Sequence, residues 1–206
     1  MAEIIYLTNA RLSFPKIIEA VGNKNFPDQG KKFGADLILP TDSADYARFM
    51  AEVSREAMEK WKDKAGAILQ MCQNDRKLRC YGKGAEKINQ TTMQVYDGYQ
   101  GDVVYLTSSA DEDHAPKIIR PNGTTCDNPI EREQLARKMY GGCYVNAAVR
   151  PWLQDNKFGK AVRCQLIAVQ FNGDGAPFGE SEVELKGFGA VQNQPQQQEE
   201  TPYWMK

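Results

Sequence analysis

Histidine, paired cysteines and long apolar runs are scarce or missing in this chain of 206 residues, and each absence argues against a class of function. A closed zinc site has too few ligands, because His114 is the only histidine and no two cysteines form a Cys-x-x-Cys pair. The cysteines are odd in number and widely spaced, which favours reduced, mostly structural thiols. They are Cys72, Cys80, Cys126, Cys143 and Cys164.

Signals for membrane insertion or secretion are also missing. No apolar run approaches the roughly 20 residues that a membrane span requires. The first residues, Met-Ala-Glu-Ile-Ile-Tyr, carry neither a basic region nor a cleavable apolar segment. We therefore expect a cytoplasmic protein with no membrane partner.

Motifs of catalytic chemistry are equally hard to find. Residues 82–84 (Gly-Lys-Gly) lack the spacing that arranges backbone amides around a phosphate, and there is no Gly-x-Ser-x-Gly elbow. Asp97 and Asp102 flank a stretch that fits a turn better than a magnesium site. A metal-dependent nuclease using these two acids and His114 is a distant third hypothesis. We expect no cofactor and no enzymatic activity.

The distribution of charge says more than its sum. The formal net charge is −1, yet residues 1–171 carry +3 and residues 172–206 carry −4. A mildly basic body with an acidic end is a common arrangement in proteins that bind nucleic acid and regulate that binding.

Two segments near the start predict β-strands, each followed by a proline. Residues 4–14 are rich in β-branched and aromatic side chains, and residues 33–39 read Phe-Gly-Ala-Asp-Leu-Ile-Leu. Residues 19–32 are rich in Gly, Asn, Asp, Pro and Lys, which predicts a long loop between the strands. The positive charges of this loop are Lys24, Lys31 and Lys32.

One long helix is predicted from residue 44 to about residue 66 or 71, with an N-cap candidate at Ser43. Its apolar positions are Phe49, Val53, Ala57 and Trp61. Their spacing indicates core packing more than a binding face. Further strands are predicted over residues 78–81, 93–96, 103–108, 117–119, 142–152 and 161–171, and a short helix over residues 131–140.

The composition changes near residue 187, which divides the chain into a folded domain (residues 1–186) and a tail (residues 187–206). The tail is Gln-rich and mildly acidic, so it cannot bury enough apolar surface to fold and is expected to be flexible. It ends in Tyr203-Trp204-Met205-Lys206. Tyr203 and Trp204 are candidates for docking a protein partner, although incidental packing on the body is the plainer alternative.

Basic and aromatic residues interleave at several places along the body. Residues 76–87 carry a net charge of +4 around Tyr81. Tyr96 and Tyr99 follow, and residues 150–160 combine three cations with Trp152 and Phe158. Cations attract a phosphate backbone, while an aromatic face offers a base a stacking surface worth roughly 1–3 kcal/mol. A solvated basic face with half-buried tyrosines is the plainer interpretation of any one of these residues.

Five segments in this order resemble the phage-encoded family of single-stranded DNA-binding proteins known as DUF2815. They are residues 11–15 (Arg-Leu-Ser-Phe-Pro), 32–40, 96–98 (Tyr-Asp-Gly), 140–146 (Tyr-Gly-Gly-Cys-Tyr-Val-Asn) and 159–175. The resemblance implies an OB-type, five-stranded β-barrel with an inserted helix. It also implies sequence-independent binding of single-stranded DNA in phage replication or recombination, in the host cytoplasm. The tail departs from the densely acidic tails of replication single-strand binders, which typically end in an aromatic residue.

The leading hypothesis is a mainly β, OB-type barrel that holds single-stranded DNA by electrostatic and stacking contacts. Its tail would recruit replication or recombination proteins. The predicted DNA-binding residues are Lys31, Lys32, Arg76, Lys77, Arg79, Tyr81, Lys83, Lys87, Tyr96, Tyr99, Arg150, Trp152, Lys157, Phe158 and Lys160. The alternative is a β-rich structural or scaffolding protein of a virion, because aromatic residues and Arg are also enriched at subunit interfaces.

Overall fold

The computed structural model describes residues 2–23 and 26–179, and the predicted tail, Tyr203 and Trp204 lie outside the described residues. The strands are β1 (Ile5–Asn23), β2 (Phe26–Pro40), β3 (Tyr81–Lys83), β4 (Val103–Asp111), β5 (Lys117–Ile119), β6 (Tyr144–Asn156) and β7 (Gly159–Gly173). The helices are α1 (Ala44–Trp61), α2 (Ala65–Asn74) and α3 (Pro129–Arg137).

Five of the strands close into a barrel. β1 pairs antiparallel with both β2 and β6, β2 pairs with β4, and β6 pairs with β7. A parallel contact between Ser109 of β4 and Gln165 of β7 closes the ring. β3 extends the sheet beside β4, and β5 extends it beside β7. This strand order is that of a five-stranded OB-type barrel, so the predicted fold class is confirmed.

Alternation of side chains along the strands fills the barrel. Leu7, Leu37, Leu106, Val149 and Leu166 come from five different strands, and each is almost completely buried. Because successive side chains of a strand point to opposite faces, the intervening positions lie on the outer surface of the barrel. Polar and aromatic residues of β2, β4, β6 and β7 are therefore presented outside the core.

The predicted helix forms, but it is interrupted. Ser43 caps α1 by accepting a hydrogen bond from the Tyr46 backbone N–H, and the predicted apolar stripe faces β1 and β6. α1 ends where Lys62 adopts a φ of 51°, which a right-handed helix does not allow. A single 3₁₀ turn follows before α2 begins at Ala65.

The prediction that the first strand ends before Pro15 was wrong, and so was the prediction of a loop over residues 19–32. The pairing of β1 with β2 shifts register between Ser13 and Lys16, and such an irregularity accommodates a proline that lacks an N–H. Beyond it, both strands continue as a two-stranded arm (residues 16–23 and 26–34), with Val21 opposite Lys32. Its sequence is rich in Gly, Asn, Asp, Pro and Lys, which are typical loop residues, and this composition is the reason that the sequence predicted a loop.

Two other predicted strands were misplaced. Asp75 accepts a hydrogen bond from the Lys77 N–H and so nucleates a 3₁₀ turn over Arg76–Leu78, which delays β3 to Tyr81. In the predicted strand at residues 93–96, Val95 forms only an isolated bridge, opposite Ile88. β4, β5, β6, β7 and α3 match their predictions to within a few residues.

Close packing requires a glycine at position 142, just before β6. Gly142 has a φ of 107°, and a Cβ placed on it would lie 2.2 Å from the Ala176 carbonyl oxygen. Arg11 donates to the carbonyl oxygens of both Gly142 (3.2 Å) and Ala176 (2.7 Å). The entry turn of β6 and the segment after β7 are thereby fixed to each other.

Candidate nucleic-acid interface

An open groove of about 1240 Å³ runs along the outer face of the barrel. The β6–β7 hairpin, β4 and the turn after α2 contribute to its walls, and we call it the basic groove. Its lining residues are Lys32, Asn74, Asp75, Arg76, Lys77, Arg79, Cys80, Lys87, Tyr105, Thr107, Ser109, Trp152, Gln154, Asn156, Phe158, Arg163 and Cys164. Six of these are Lys or Arg and only Asp75 is acidic, so the groove is suited to an anionic ligand.

The β6–β7 hairpin presents two exposed aromatic rings at the groove. Trp152 lies on β6 opposite Arg163 of β7, and its side chain is 46% exposed. Phe158 lies in the turn and is 78% exposed. The Asn156 side chain accepts from the Phe158 N–H at 2.9 Å, and Gly159 supplies the φ of 105° that the turn requires. The two-residue turn thus holds the Phe158 ring outside the core, while β6 presents Trp152.

Three cations of the groove have no acidic partner among the residues that the structure describes: Arg76, Lys77 and Arg163. We call them the open cations. Arg163 donates to Gln154 Oε1 (3.2 Å) and to the Lys77 carbonyl oxygen (2.9 Å), which orients its guanidinium without neutralising it. Lys32 is intermediate, because its partner Asp111 is exposed and lies 3.4 Å away.

Two other cations of the groove are locked in ion pairs, and we call them the locked cations. Arg79 is only 5% exposed and donates to Glu86 (2.7 Å), to the Gln73 carbonyl oxygen (3.1 Å) and to the Tyr81 carbonyl oxygen. Lys87 donates to the buried carboxylate of Asp36 at 2.6 Å and to Thr107 Oγ1 at 3.2 Å. These cations support the groove more than they offer charge to a ligand.

Tyr81 and Tyr99 were predicted to contact DNA, but the structure buries both. Tyr81 packs in the barrel core, where burial raises the pKa of its hydroxyl to about 12. Tyr99 is 0% exposed and donates to Asp36 Oδ2 at 2.6 Å, and burial together with that carboxylate raises its pKa strongly. Neither ring can reach a base, so both are corrected to structural residues.

The structure brings seven of the predicted residues together in the basic groove: Lys32, Arg76, Lys77, Arg79, Lys87, Trp152 and Phe158. Six others lie outside its lining: Lys31, Lys83, Tyr96, Arg150, Lys157 and Lys160.

Within the second set the environments differ. Lys157 lies 5.1 Å from the Phe158 ring at the hairpin turn, while Lys160 pairs with Asp155 one residue pair below the turn. Lys31 lies on the arm, 3.9 Å from Glu112, and Lys83 is exposed on β3. Arg150 lies two residues before Trp152 on β6, and its buried Nε has no hydrogen-bond partner within the described chain.

Sequence reasoning missed several polar residues of the groove, of which Arg163 is the most important. The signal was available, because Asn156 and Gly159 define the turn and the antiparallel register then places Arg163 opposite Trp152. The residues supplied by the end of α2 could not be found in this way. That segment reaches the groove by the packing of α2 and the following turn on β7, which no local pattern records.

The residues of the nuclease hypothesis are not assembled into a site. Asp97 accepts from the Gly179 N–H at 3.0 Å, whereas His114 lies in a 3₁₀ turn after β4. Within residues 2–23 and 26–179, no three His, Cys, Asp or Glu side chains are grouped to hold a metal ion. Burial raises the pKa of Cys80 to about 12, so this thiol of the groove is neutral at pH 7. Among the described helices, none is both long and apolar enough to cross a membrane.

Comparison with known proteins gives consistent matches over most of the chain. The family described as Enterobacter phage Enc34, ssDNA-binding protein, matches residues 3–200. Protein p50 of Acyrthosiphon pisum secondary endosymbiont phage 1 is 33% identical over 178 residues, covering 84% of this chain and 85% of p50.

Two solved structures share the fold. One is the single-stranded DNA-binding protein from bacteriophage Enc34 in complex with ssDNA, with a TM-score of 0.55 and 21% identity over 85% of this chain and 89% of that chain. The other is gp2.5, a single-stranded DNA-binding protein encoded by bacteriophage T7. Its TM-score is 0.52, with 12% identity over 92% of this chain and 100% of that chain.

Proposed function

Because this chain belongs to the family of the Enterobacter phage Enc34 ssDNA-binding protein, we propose that it binds single-stranded DNA in the basic groove. The supporting observation is the position of Trp152 beside the open cations, on the outer face of an OB-type barrel. OB-folds commonly bind oligonucleotides on the face of their second and third strands, between the loops of two hairpins. In this barrel those elements are β2, β4, the arm and the β6–β7 hairpin.

Electrostatic attraction to phosphates supplies the first part of the proposed affinity. Arg76, Lys77 and Arg163 have no acidic partner in the described part of the chain, and Lys32 has only an exposed one. Each phosphate contact releases counterions, so affinity falls with salt by a slope of about −0.7 per contact on a single strand. Four contacts predict a slope of about −3.

Stacking supplies the second part. Trp152 and Phe158 expose their ring faces in the same groove as the open cations. Every base has a π-face, so stacking on these rings does not depend on the sequence of the strand. Together with phosphate contacts, this accounts for a protein that coats and protects single strands in phage replication or recombination, in the cytoplasm of the host. The role requires no bond chemistry.

The proposal gives different roles to the folded domain and to the tail. Residues 1–186 form the DNA-binding domain, and residues 187–206 serve as a tail that recruits replication or recombination proteins. The support is compositional: the tail is Gln-rich, carries Glu199 and Glu200, and places Tyr203 and Trp204 near its end. Such short aromatic segments are typical docking peptides.

The decisive experiment titrates the full chain with fluorescently labelled oligo-dT at roughly 50 and 200 mM salt. We expect tight binding at low salt, with a slope near −3, and about tenfold weaker binding for Trp152→Ala, whose stability should be unchanged. Double-stranded DNA of the same length serves as the competitor. Absence of binding, or binding that does not respond to salt, would contradict the proposed function.

A further inference from the structure

Phe14 is an exposed aromatic residue in a conformation that non-glycine residues rarely adopt. It lies on β1 at the register shift between Ser13 and Lys16, with a φ of 46°. Its side chain is 48% exposed although the residue belongs to a barrel strand. A left-handed backbone is unfavourable for a side chain of this size, and such outliers concentrate at functional sites.

The ring of Phe14 lies beside two tyrosine rings. The Tyr96 ring packs edge-on against it, with centroids 5.1 Å apart and planes at 84°. Tyr99 lies 6.3 Å away on the core side and is itself fixed by its hydrogen bond to Asp36. The Phe14 ring is therefore held by neighbouring rings while about half of the residue is exposed. Phe158, at the tip of a hairpin turn, is far more exposed.

A second cavity, next to the basic groove, includes Phe14 in its lining. It has a volume of about 470 Å³, and Lys16 also lines it. It shares four lining residues with the basic groove: Lys32, Lys87, Thr107 and Ser109. A further cavity of about 490 Å³ begins at Phe14 and contains Tyr96. Trp152 and Phe14 thus line two adjoining cavities, and the basic residues Lys32 and Lys87 belong to both linings.

We propose that Phe14, supported by Tyr96, is a second base-stacking position at the far end of the DNA path. The inference rests on the proposed function and adds a direction to it: the strand leaves the β6–β7 hairpin, crosses β4 and β2, and reaches β1. Four strand steps separate β6 from β1 on this side of the barrel, about 19 Å at roughly 4.8 Å per step. A short oligonucleotide fills the basic groove alone, and only a longer one reaches Phe14.

The test measures affinity against oligo-dT length for the full chain, from about 4 to about 16 nucleotides. Phe14→Gly removes the ring and suits the positive φ, so it does not add backbone strain. Tyr6→Ala is the matched control, because Tyr6 is a 63% exposed aromatic residue of the same strand that lines none of these cavities. We expect Phe14→Gly to bind the longest strands about tenfold more weakly than the unmodified protein, and the shortest strands equally well. Phe14→Trp keeps an aromatic ring at this position and should bind strands of every length as the unmodified protein does.

Several outcomes would overturn the inference. They are an equal loss at every length, no loss at any length, and tighter binding, which would mean that another part of the chain or a protein partner covers Phe14. Failure of the unmodified protein to bind any length would instead reject the proposed function.

A second measurement uses the unmodified protein and so does not depend on a variant. Oligo-dT carrying one photoreactive 5-iodouracil at either its 5′ or its 3′ end is crosslinked, and the labelled peptides are identified by mass spectrometry. We expect one end to label the peptide containing Phe14 or Tyr96, and the opposite end to label the peptide containing Trp152 or Phe158. Labelling of the same peptide from both ends would contradict the proposed path.

Discussion

Arg79 and Arg163 line the same groove, but their surroundings give them different roles. Arg79 is almost buried and its donors are committed to Glu86 and to two backbone carbonyls. Among the residues that the structure describes, Arg163 donates only to neutral acceptors, Gln154 and the Lys77 backbone. A cation that is already paired adds little field at the surface, because its carboxylate cancels it. The charge available to a ligand is therefore smaller than the charge counted along the sequence.

The same contrast separates Lys87 from Lys77. Lys87 is held by Asp36, which also accepts from Tyr99, so one buried carboxylate organises two side chains beneath the groove. Lys77 is exposed and unpaired in the described part of the chain. Removing one partner of a buried pair leaves an uncompensated charge, which costs about 3–5 kcal/mol, whereas exposed charges are worth much less. Substitution of a locked cation should therefore mainly lower stability, whereas substitution of an open cation should mainly weaken DNA binding.

The largest effect is expected for Arg79→Gln. The substitution leaves Glu86 without its guanidinium, and we expect the free energy of unfolding to fall by about 3 kcal/mol in urea titrations. The salt slope of DNA binding should stay the same, because Arg79 contributes no open charge. Arg137→Gln is the matched control: its pair with Glu133 is exposed, and its loss should cost less than about 0.5 kcal/mol. If the two variants lose the same free energy of unfolding, Arg79 is held no more firmly than a surface cation and is not a locked cation.

Asp36→Asn should have opposite effects on folding and on binding. The free energy of unfolding should fall by about 2 kcal/mol. This is less than for a charge that stays buried, because Lys87 loses its carboxylate but its ammonium can be solvated in the groove. The freed ammonium then faces the groove, so the salt slope should steepen by about 0.7 and affinity at low salt should rise. Asp111→Asn, at the exposed pair with Lys32, should leave stability nearly unchanged. Weaker DNA binding by Asp36→Asn at low salt would show that Lys87 is not masked.

Arg163→Gln tests an open cation directly. One phosphate contact is lost, so the salt slope should become shallower by about 0.7 and affinity at low salt should fall several-fold. The unfolding free energy should fall by about 1 kcal/mol, because two hydrogen bonds to neutral acceptors are lost but no ion pair is broken. The two readouts come from the same protein sample, by oligo-dT titration and by urea denaturation. A large loss of stability with an unchanged slope would place Arg163 with the locked cations.

The smallest effect concerns pH and the hairpin that carries the exposed rings. The Lys160 ammonium and the Trp61 indole N–H, which lies 2.8 Å from Asp155 Oδ2, hold the pKa of Asp155 below its usual value. A lowered folded-state pKa means that the stabilisation is complete above the unfolded value of about 3.9 and is lost as the pH falls through the folded one. Asp155→Asn should thus be less stable than the unmodified protein at pH 7, with a difference that closes on acidification. Urea titrations at pH 7 and at a pH below the unfolded value of about 3.9 measure this difference in the free energy of unfolding. A difference that is the same at the two pH values would contradict the prediction.

Much of the fold followed from sequence because the signals are local. The strands β4, β6 and β7 form close to their predicted positions, and the apolar stripe of α1 faces the barrel. The arm was missed because its sequence is rich in Gly, Asn, Asp, Pro and Lys, which are typical loop residues. Pro15 was misinterpreted as a strand end because a register shift, which only the pairing with β2 reveals, removes the need for its N–H.

The candidate site was less accessible to sequence reasoning. The three basic or aromatic segments were recognised, and two of them meet in the basic groove. The Tyr96 and Tyr99 segment lies elsewhere: Tyr99 is core, and Tyr96 supports Phe14. Period-two strands place stacking rings and core rings at neighbouring positions, so a count of aromatics cannot tell them apart.

Sequence by itself determined that this is a mainly β chain with a helical insertion, and its short motifs placed it in a family of phage single-stranded DNA-binding proteins. Hydrophobic periodicity and glycine turns are properties of contiguous residues, so they can be read directly. Only the tertiary structure decided which cations are open and which are locked. Asp36 pairs with Lys87 across 51 positions of the sequence, and Trp152 and the end of α2 line one groove only because the barrel brings them together. The electrostatics of the groove depend on these long-range pairings.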